Sequence, residues 1–141
     1  MTFPINSVSV QTTAIRRIGK IAQRMDACHR VAYAAVFDCR RIDGSSEWSQ
    51  HSWGNAMDLM PKLPQSNDDE DRRIIADAFV YQATHRTRVN RFIKLAISQV
   101  IDHDGRRVWE PASGWQPYGG GTGNHVHLSG RPLRTGVPPC A

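Results

Sequence analysis

Apolar residues recur at spacings of three and four from Thr12 to Arg30, where Ile15, Ile18, Ala22 and Met25 form one stripe and Arg16, Arg17, Lys20 and Arg24 fall between them. This period predicts an amphipathic helix, and a threonine, Thr12 or Thr13, stands where an N-cap would. Four basic residues without aromatic anchors are too few for a helix lying on a membrane. The pattern then turns β-like: Val31, Tyr33, Val36 and Phe37 mark residues 31–42 as a strand buried on at least one face, ending in Arg40-Arg41. Gly44, Ser45 and Ser46 make residues 43–50 a loop. Residues 55–60 read as a short strand with Ala56, Asp58 and Met60 on one side and Met57 and Leu59 on the other.

Beyond Pro61 a second helix is expected, capped by Ser66 or Asn67, with Asp68, Asp69, Glu70 and Asp71 in its first turn and Arg86 and Arg88 near its end. That acidic cluster is a helix start, not a calcium loop. Ile75, Ala78, Phe79 and Ala83 form the buried stripe, and His85 is a favourable charge at the C-terminal end. Residues 91–97 continue as a short helix or begin a strand. Residues 99–109 read as a hairpin turning at Asp104-Gly105, with His103 solvated at the turn. Gly119 to Gly123 lacks the lysine and following helix of a phosphate loop and reads as a mobile rim. Asn124 to Ser129 predicts another strand, with His125 and His127 on one face and Val126 and Leu128 on the other. Residues 1–11 form an arm or edge strand, and residues 131–141, with Pro132, Pro138 and Pro139, a tail or the start of a linker. The fold class is α+β: two main helices packed on a small, mostly antiparallel sheet.

The chain has 141 residues, enough for one domain burying about two thirds of its unfolded surface. No apolar run approaches the roughly 18 residues of a membrane span, so no membrane partner is expected. The first eleven residues do not read as a secretory signal. A net charge of +5 favours polyanionic partners, but the arginines are scattered and carry no nucleic-acid motif, so no nucleic-acid partner is expected either. A monomer is anticipated. Cys28, Cys39 and Cys140 cannot all pair within one chain. Cys28–Cys39 is conceivable if the first helix lies over the next strand, but free, buried thiols are expected, with Cys140 exposed in the tail. No Cys-x-x-Cys pair supports a structural zinc knuckle.

The candidate chemistry lies in residues 49–58, Ser-Gln-His-Ser-Trp-Gly-Asn-Ala-Met-Asp. His51 and Asp58 are both good zinc ligands, and Gly54 lets the loop carrying His51 fold back over the strand. The His125-x-His127 strand can aim imidazoles at the same point, although spacing alone does not choose between them. Trp48 and Trp53 flank His51, either fixing the loop by burial or lining a peptide groove.

Ser49-x-His51-x-x-Gly54-x-Ala56-x-Asp58 followed by His125-x-His127 resembles the signature of the zinc D-alanyl-D-alanine carboxypeptidase and L-alanyl-D-glutamate endopeptidase superfamily. Residues 39–44 and the stretch from Val108 to Tyr118 are similar to flanks in its phage endolysin and actinobacterial branches, so the likeness covers about residues 33–130. The resemblance implies a Hedgehog/DD-peptidase-like fold and a Zn2+ ion held by His51, Asp58 and His127. His125 would lie beside the metal, and Arg40 would stabilise an oxyanion or hold a substrate carboxylate. The implied partner is a peptide of bacterial peptidoglycan. The implied setting is a phage lysin that passes from host cytoplasm to cell wall, or a secreted or wall-associated enzyme if bacterial. Many relatives carry an acidic general base three positions before the last zinc histidine; Asn124 stands there, and an amide cannot accept that proton. His125, Glu110 or Asp102 would then serve as base. The alternative is a non-catalytic, zinc-stabilised module that binds wall peptides.

Overall fold

The first apolar stripe becomes helix α1, Thr13–Ala27, in a computed structural model of the chain that describes residues 11–27, 31–61, 68–85, 96–103, 105–120 and 125–141. Thr12 caps it, its Oγ1 accepting from the Ile15 amide at 3.3 Å. No acid occupies the first turn, so only Arg24 in the last turn complements the helix dipole. Burial dominates instead: Ile15, Ile18 and Ala22 are fully buried, and the two isoleucines alone contribute roughly 3–6 kcal/mol. Helix α2, Asp68–Thr84, buries Ile75, Ala76, Phe79 and Ala83. Ala78 is only half-buried, so Ala76 takes the place in the stripe that was expected for it. The expected caps at Ser66 and Asn67 and the arginines at 86 and 88 lie outside the described residues.

Six strands form one sheet: β1 (Val31–Ala35), β2 (Ala56–Pro61), β3 (Ile97–Asp102), β4 (Arg107–Glu110), β5 (Gly114–Pro117) and β6 (Val126–Gly130). Their order is β1-β2-β6-β3-β4-β5, and every neighbouring pair is antiparallel. The α+β expectation with a mostly antiparallel sheet is therefore met. The hairpin of β3 and β4 closes with Asp102 opposite Arg107, and the Arg106 amide donates to the His103 carbonyl.

Strand periodicity splits the sheet into two faces. Met57, Leu59, Val126, Leu128 and Val100 point to the helices and are buried, with α1 lying over β1, β2 and β6 and α2 over β2, β3 and β6. Asp58, His127 and Ile101 are aligned across β2, β6 and β3 and point to the opposite face. One face thus supplies stability and the other is left to chemistry.

The structure corrects three expectations. The strand expected over residues 31–42 ends at Ala35, and Arg40 and Arg41 sit in a loop. Cys39 bonds to Cys140, across 101 residues, so these two are neither free nor buried; Cys28 lies outside the described residues. The C-terminal segment is consequently no free tail. Gln50 pairs with the Arg134 backbone through both its amide nitrogen and its amide oxygen, and Pro138 is buried.

Candidate metal centre

Two local devices place His51. Residues Gln50–Trp53 make a single 3₁₀ turn, capped by Ser49, whose Oγ accepts from the His51 amide at 3.3 Å, and ended by Gly54 in the left-handed region at φ 63°. Glycine adopts that conformation at no steric cost. Asn55 then anchors the turn to the sheet. Its fully buried side chain takes a hydrogen bond from Thr12 Oγ1 at 3.0 Å, and its amide nitrogen lies 2.8 Å from Gln50 Oε1 and 3.1 Å from the carbonyls of Gly130 and Pro132. This one residue joins helix α1, the His51 turn, strand β6 and the C-terminal segment. A side chain at Gly130 would collide with it.

Asp58 and His127 face each other on β2 and β6, Oδ1 to Nδ1 at 2.9 Å. His51 Nε2 lies 3.1 Å from the same carboxylate oxygen, and His125 Nε2 lies 3.5 Å from it. The ligand atoms of His51, Asp58 and His127 all fall within 4.8 Å of one another, so these three residues could hold a metal ion.

The hydrogen-bond pattern argues that a cation belongs there. His51 Nδ1 donates to the Val36 carbonyl at 2.9 Å, so in the neutral ring the lone pair lies on Nε2. That nitrogen is buried and has no hydrogen-bond partner, yet it points at a carboxylate oxygen. Two acceptors 3.1 Å apart repel unless a proton or a metal ion lies between them. His127 Nε2 is held by Ser129 Oγ at 2.8 Å, an outer contact of the kind that orients a ligating imidazole. The 2.9 and 3.1 Å separations come near the ~3.3 Å edge of a tetrahedron with metal–ligand distances of about 2.0–2.1 Å.

Electrostatics agree with this picture. Burial pushes the Asp58 carboxyl up, but the adjoining imidazoles of His127 and His51 outweigh it and hold the group well below the usual carboxylate range. Burial pulls His51 down, yet Asp58 wins and its pKa ends above the ordinary histidine value. At His127 burial prevails over Asp58 and the pKa ends lower. His125 is pushed down to about 4 by burial, with His103, His127 and His51 adding repulsion and Asp58 opposing. The centre therefore keeps one negative charge and favours one positive charge beside it.

The other anticipated residues are distributed unevenly. Arg40 is exposed, 2.7 Å from Asp38, and close enough to His51 for its charge to oppose protonation there. Asn124 lies outside the described residues. Asp102 does not reach the centre: it is buried on the helix-facing side, where its carboxylate accepts from the Gly105 amide and pairs with Arg107 at 2.9 Å. Glu110 is exposed and accepts from Gln99 at 3.3 Å. His103, expected to be solvated, is half-buried with its ring centroid 4.5 Å from that of His125 and 5.5 Å from Tyr118. A histidine in a hairpin turn carries no local signal of such a contact.

The chain has no significant match among family models, curated proteins or solved structures.

Proposed function

We propose that the protein is a zinc-dependent peptidase acting on the stem or cross-bridge peptides of bacterial peptidoglycan. The observation that carries this reading is the convergence of His51 Nε2, Asp58 Oδ1 and His127 Nδ1, with the buried His51 nitrogen left without a partner. Two imidazoles and one carboxylate suit Zn2+ better than Ca2+ or Mg2+, which prefer oxygen ligands, and three protein ligands leave a position open. When bound, zinc supplies Lewis-acid polarisation of a carbonyl and makes water more acidic.

The chain's own residues supply the rest. Asp58 stays ionised and offsets the charge of the metal. Ser129 and the Val36 carbonyl fix the two ring orientations. His125 stands 3.5 Å from Asp58, beside the centre, where it is the side chain placed to take a proton from an attacking water and pass it to the leaving amine. The sequence signature shared with the cell-wall peptidases supplies the substrate class, and it implies a lysin that reaches the wall.

A second reading, a non-catalytic zinc-stabilised module for wall peptides, is favoured by Asn124, an amide where many relatives carry the acidic base, together with the commitment of Asp102 to Arg107 on the far face of the sheet. Incubating zinc-loaded protein with isolated peptidoglycan, followed by mass spectrometry of new termini, decides between them. New peptide ends that disappear in His51→Ala and in chelated protein establish the peptidase. Stoichiometric tight zinc without cleavage removes the peptidase for this substrate and leaves the module.

A further inference from the structure

A groove of about 680 Å³ lies between the loop carrying Arg41 to Gln50 and the C-terminal segment from Leu133 to Val137. Gln99 contributes to its floor and sits opposite Ser129, whose hydroxyl holds His127. Ile101, two residues along β3, is the cross-strand partner of His127, so the floor begins about 7 Å along the strands from the metal centre, on the same face.

The groove gathers exposed apolar surface. Among the described residues four large hydrophobic side chains are exposed; Ile42, Leu133 and Val137 line this groove, and only Tyr81 lies elsewhere. Trp48 and Trp53 line it as well. Apolar side chains concentrated at one concavity with a few charged groups are the usual composition of a ligand site. Two cations stand on its walls against one acid, Glu47. Arg41 stacks on Trp48 with its guanidinium carbon 4.4 Å from the ring centroid, and the Arg134 guanidinium has no ion pair among the described residues.

We propose that this groove binds an acidic peptide segment, its carboxylate held by Arg134 and Arg41 and its apolar portion lying on Trp48 and Trp53. Its continuity with the metal face makes it the flank of the peptide whose scissile bond reaches His51, Asp58 and His127, and in this respect the inference rests on the peptidase reading. The charge balance of the walls selects the carboxylate. Binding itself requires no hydrolysis.

The test uses the His51→Ala protein, which cannot cleave, and a peptidoglycan stem pentapeptide with free carboxylates beside the same peptide with every carboxylate amidated. Affinity is read by calorimetry. The acidic peptide should bind at least about tenfold more tightly, as expected for a charge-assisted hydrogen bond. Arg134→Gln should abolish that preference. The variant leaves the fold intact, because Gln50 holds residue 134 through its backbone. Trp48→Ala should weaken both peptides, and Arg16→Gln on α1 should change neither. Equal affinity for the two peptides, no binding of either, or a preference that survives Arg134→Gln overturns the proposal. Selective binding by a wild-type protein that never cleaves peptidoglycan retains the groove and removes the peptidase, so the two failures are distinguishable.

Discussion

His51 Nε2 points at Asp58 Oδ1 from 3.1 Å while the other nitrogen of the same ring donates to the Val36 carbonyl. A buried neutral imidazole bound in this way is a base without a donor to meet it, and it faces a carboxylate oxygen. The pair makes sense around a positive charge, and the predictions below test what that charge is and what surrounds it.

Replacing Asp58 with Asn keeps the shape but removes the negative charge that favours a cation. Zinc stoichiometry after dialysis should fall from one per chain to near zero in Asp58→Asn and His127→Ala. Ser129→Ala, which removes only the outer contact to His127, should retain the ion and bind it roughly 10–100-fold more weakly. Competition against a chromophoric chelator measures all three. Retention of tight zinc by Asp58→Asn would place the metal elsewhere.

Protons should compete with the metal. The His51 pKa lies above the ordinary histidine value, so zinc affinity should decline as pH falls through that region, at higher pH than for a free imidazole. In metal-free protein His125 adds a separate effect. Its folded pKa of about 4 lies below its unfolded value of 6.5, so the unfolded state binds more protons between them. Its contribution is present above pH 6.5 and lost as pH falls towards 4, by roughly 3 kcal/mol. His127 acts in the same direction, whereas the raised His51 favours folding at low pH and loses that contribution as pH rises. Urea titrations of chelated wild type and His125→Phe at pH 7 and pH 4.5 isolate the His125 part; the variant should lose less stability on acidification.

The Cys39–Cys140 bond closes a span of 101 residues. In the chain-entropy account a loop of that size stabilises by as much as about 4–5 kcal/mol. Cys39→Ser should therefore lower the urea midpoint clearly under oxidising conditions, and reductant should lower the wild type to the same value. The bond also joins the loop before His51 to the segment carrying Arg134, so proteolysis within residues 133–141 should accelerate in both cases.

Asn55 is a buried amide that links four parts of the fold. Asn55→Ala removes the donor to the Pro132 carbonyl and one of two donors to the Gly130 carbonyl, which keeps Ser98 Oγ, and takes the acceptor from Thr12 Oγ1, at a cost of about 1–3 kcal/mol. Asn55→Asp should be worse than Ala despite its closer shape, because it directs a carboxylate at those carbonyls. Thermal denaturation of the three proteins checks the order, and an aspartate variant as stable as wild type would contradict the assigned amide orientation.

Much of this was readable in advance where the signal is local. The three-and-four spacing of Ile15, Ile18 and Ala22 marked α1, and alternation at Met57 and Leu59 and at Val126 and Leu128 marked the buried faces of β2 and β6. That alternation by itself put Asp58 and His127 on the opposite faces of their strands from the core, and the Ser49 to Asp58 motif singled out His51. Asn55 was passed over within the same motif, since an asparagine before a strand reads as a turn residue until its partners are known. Ala76 was missed for a similar reason: which alanines of α2 meet the sheet depends on how the helix is set down on it.

Residue type and periodicity, then, determined the elements, their apolar faces and the candidate ligands His51 and Asp58 with His125 or His127 beside them, because a strand or helix reports its buried side through neighbours only a few residues away; the choice of His127 came from the family resemblance. The tertiary structure decided what met what. Strand β6 is inserted between β2 and β3, which brings His127 beside Asp58, turns Asp102 to the helices, sets His103 against His125 and draws the C-terminal segment back until Cys140 reaches Cys39. Those contacts join positions from about twenty to more than one hundred residues apart. They follow from strand order and the closure of one shared core, for which no short stretch of chain carries a signal.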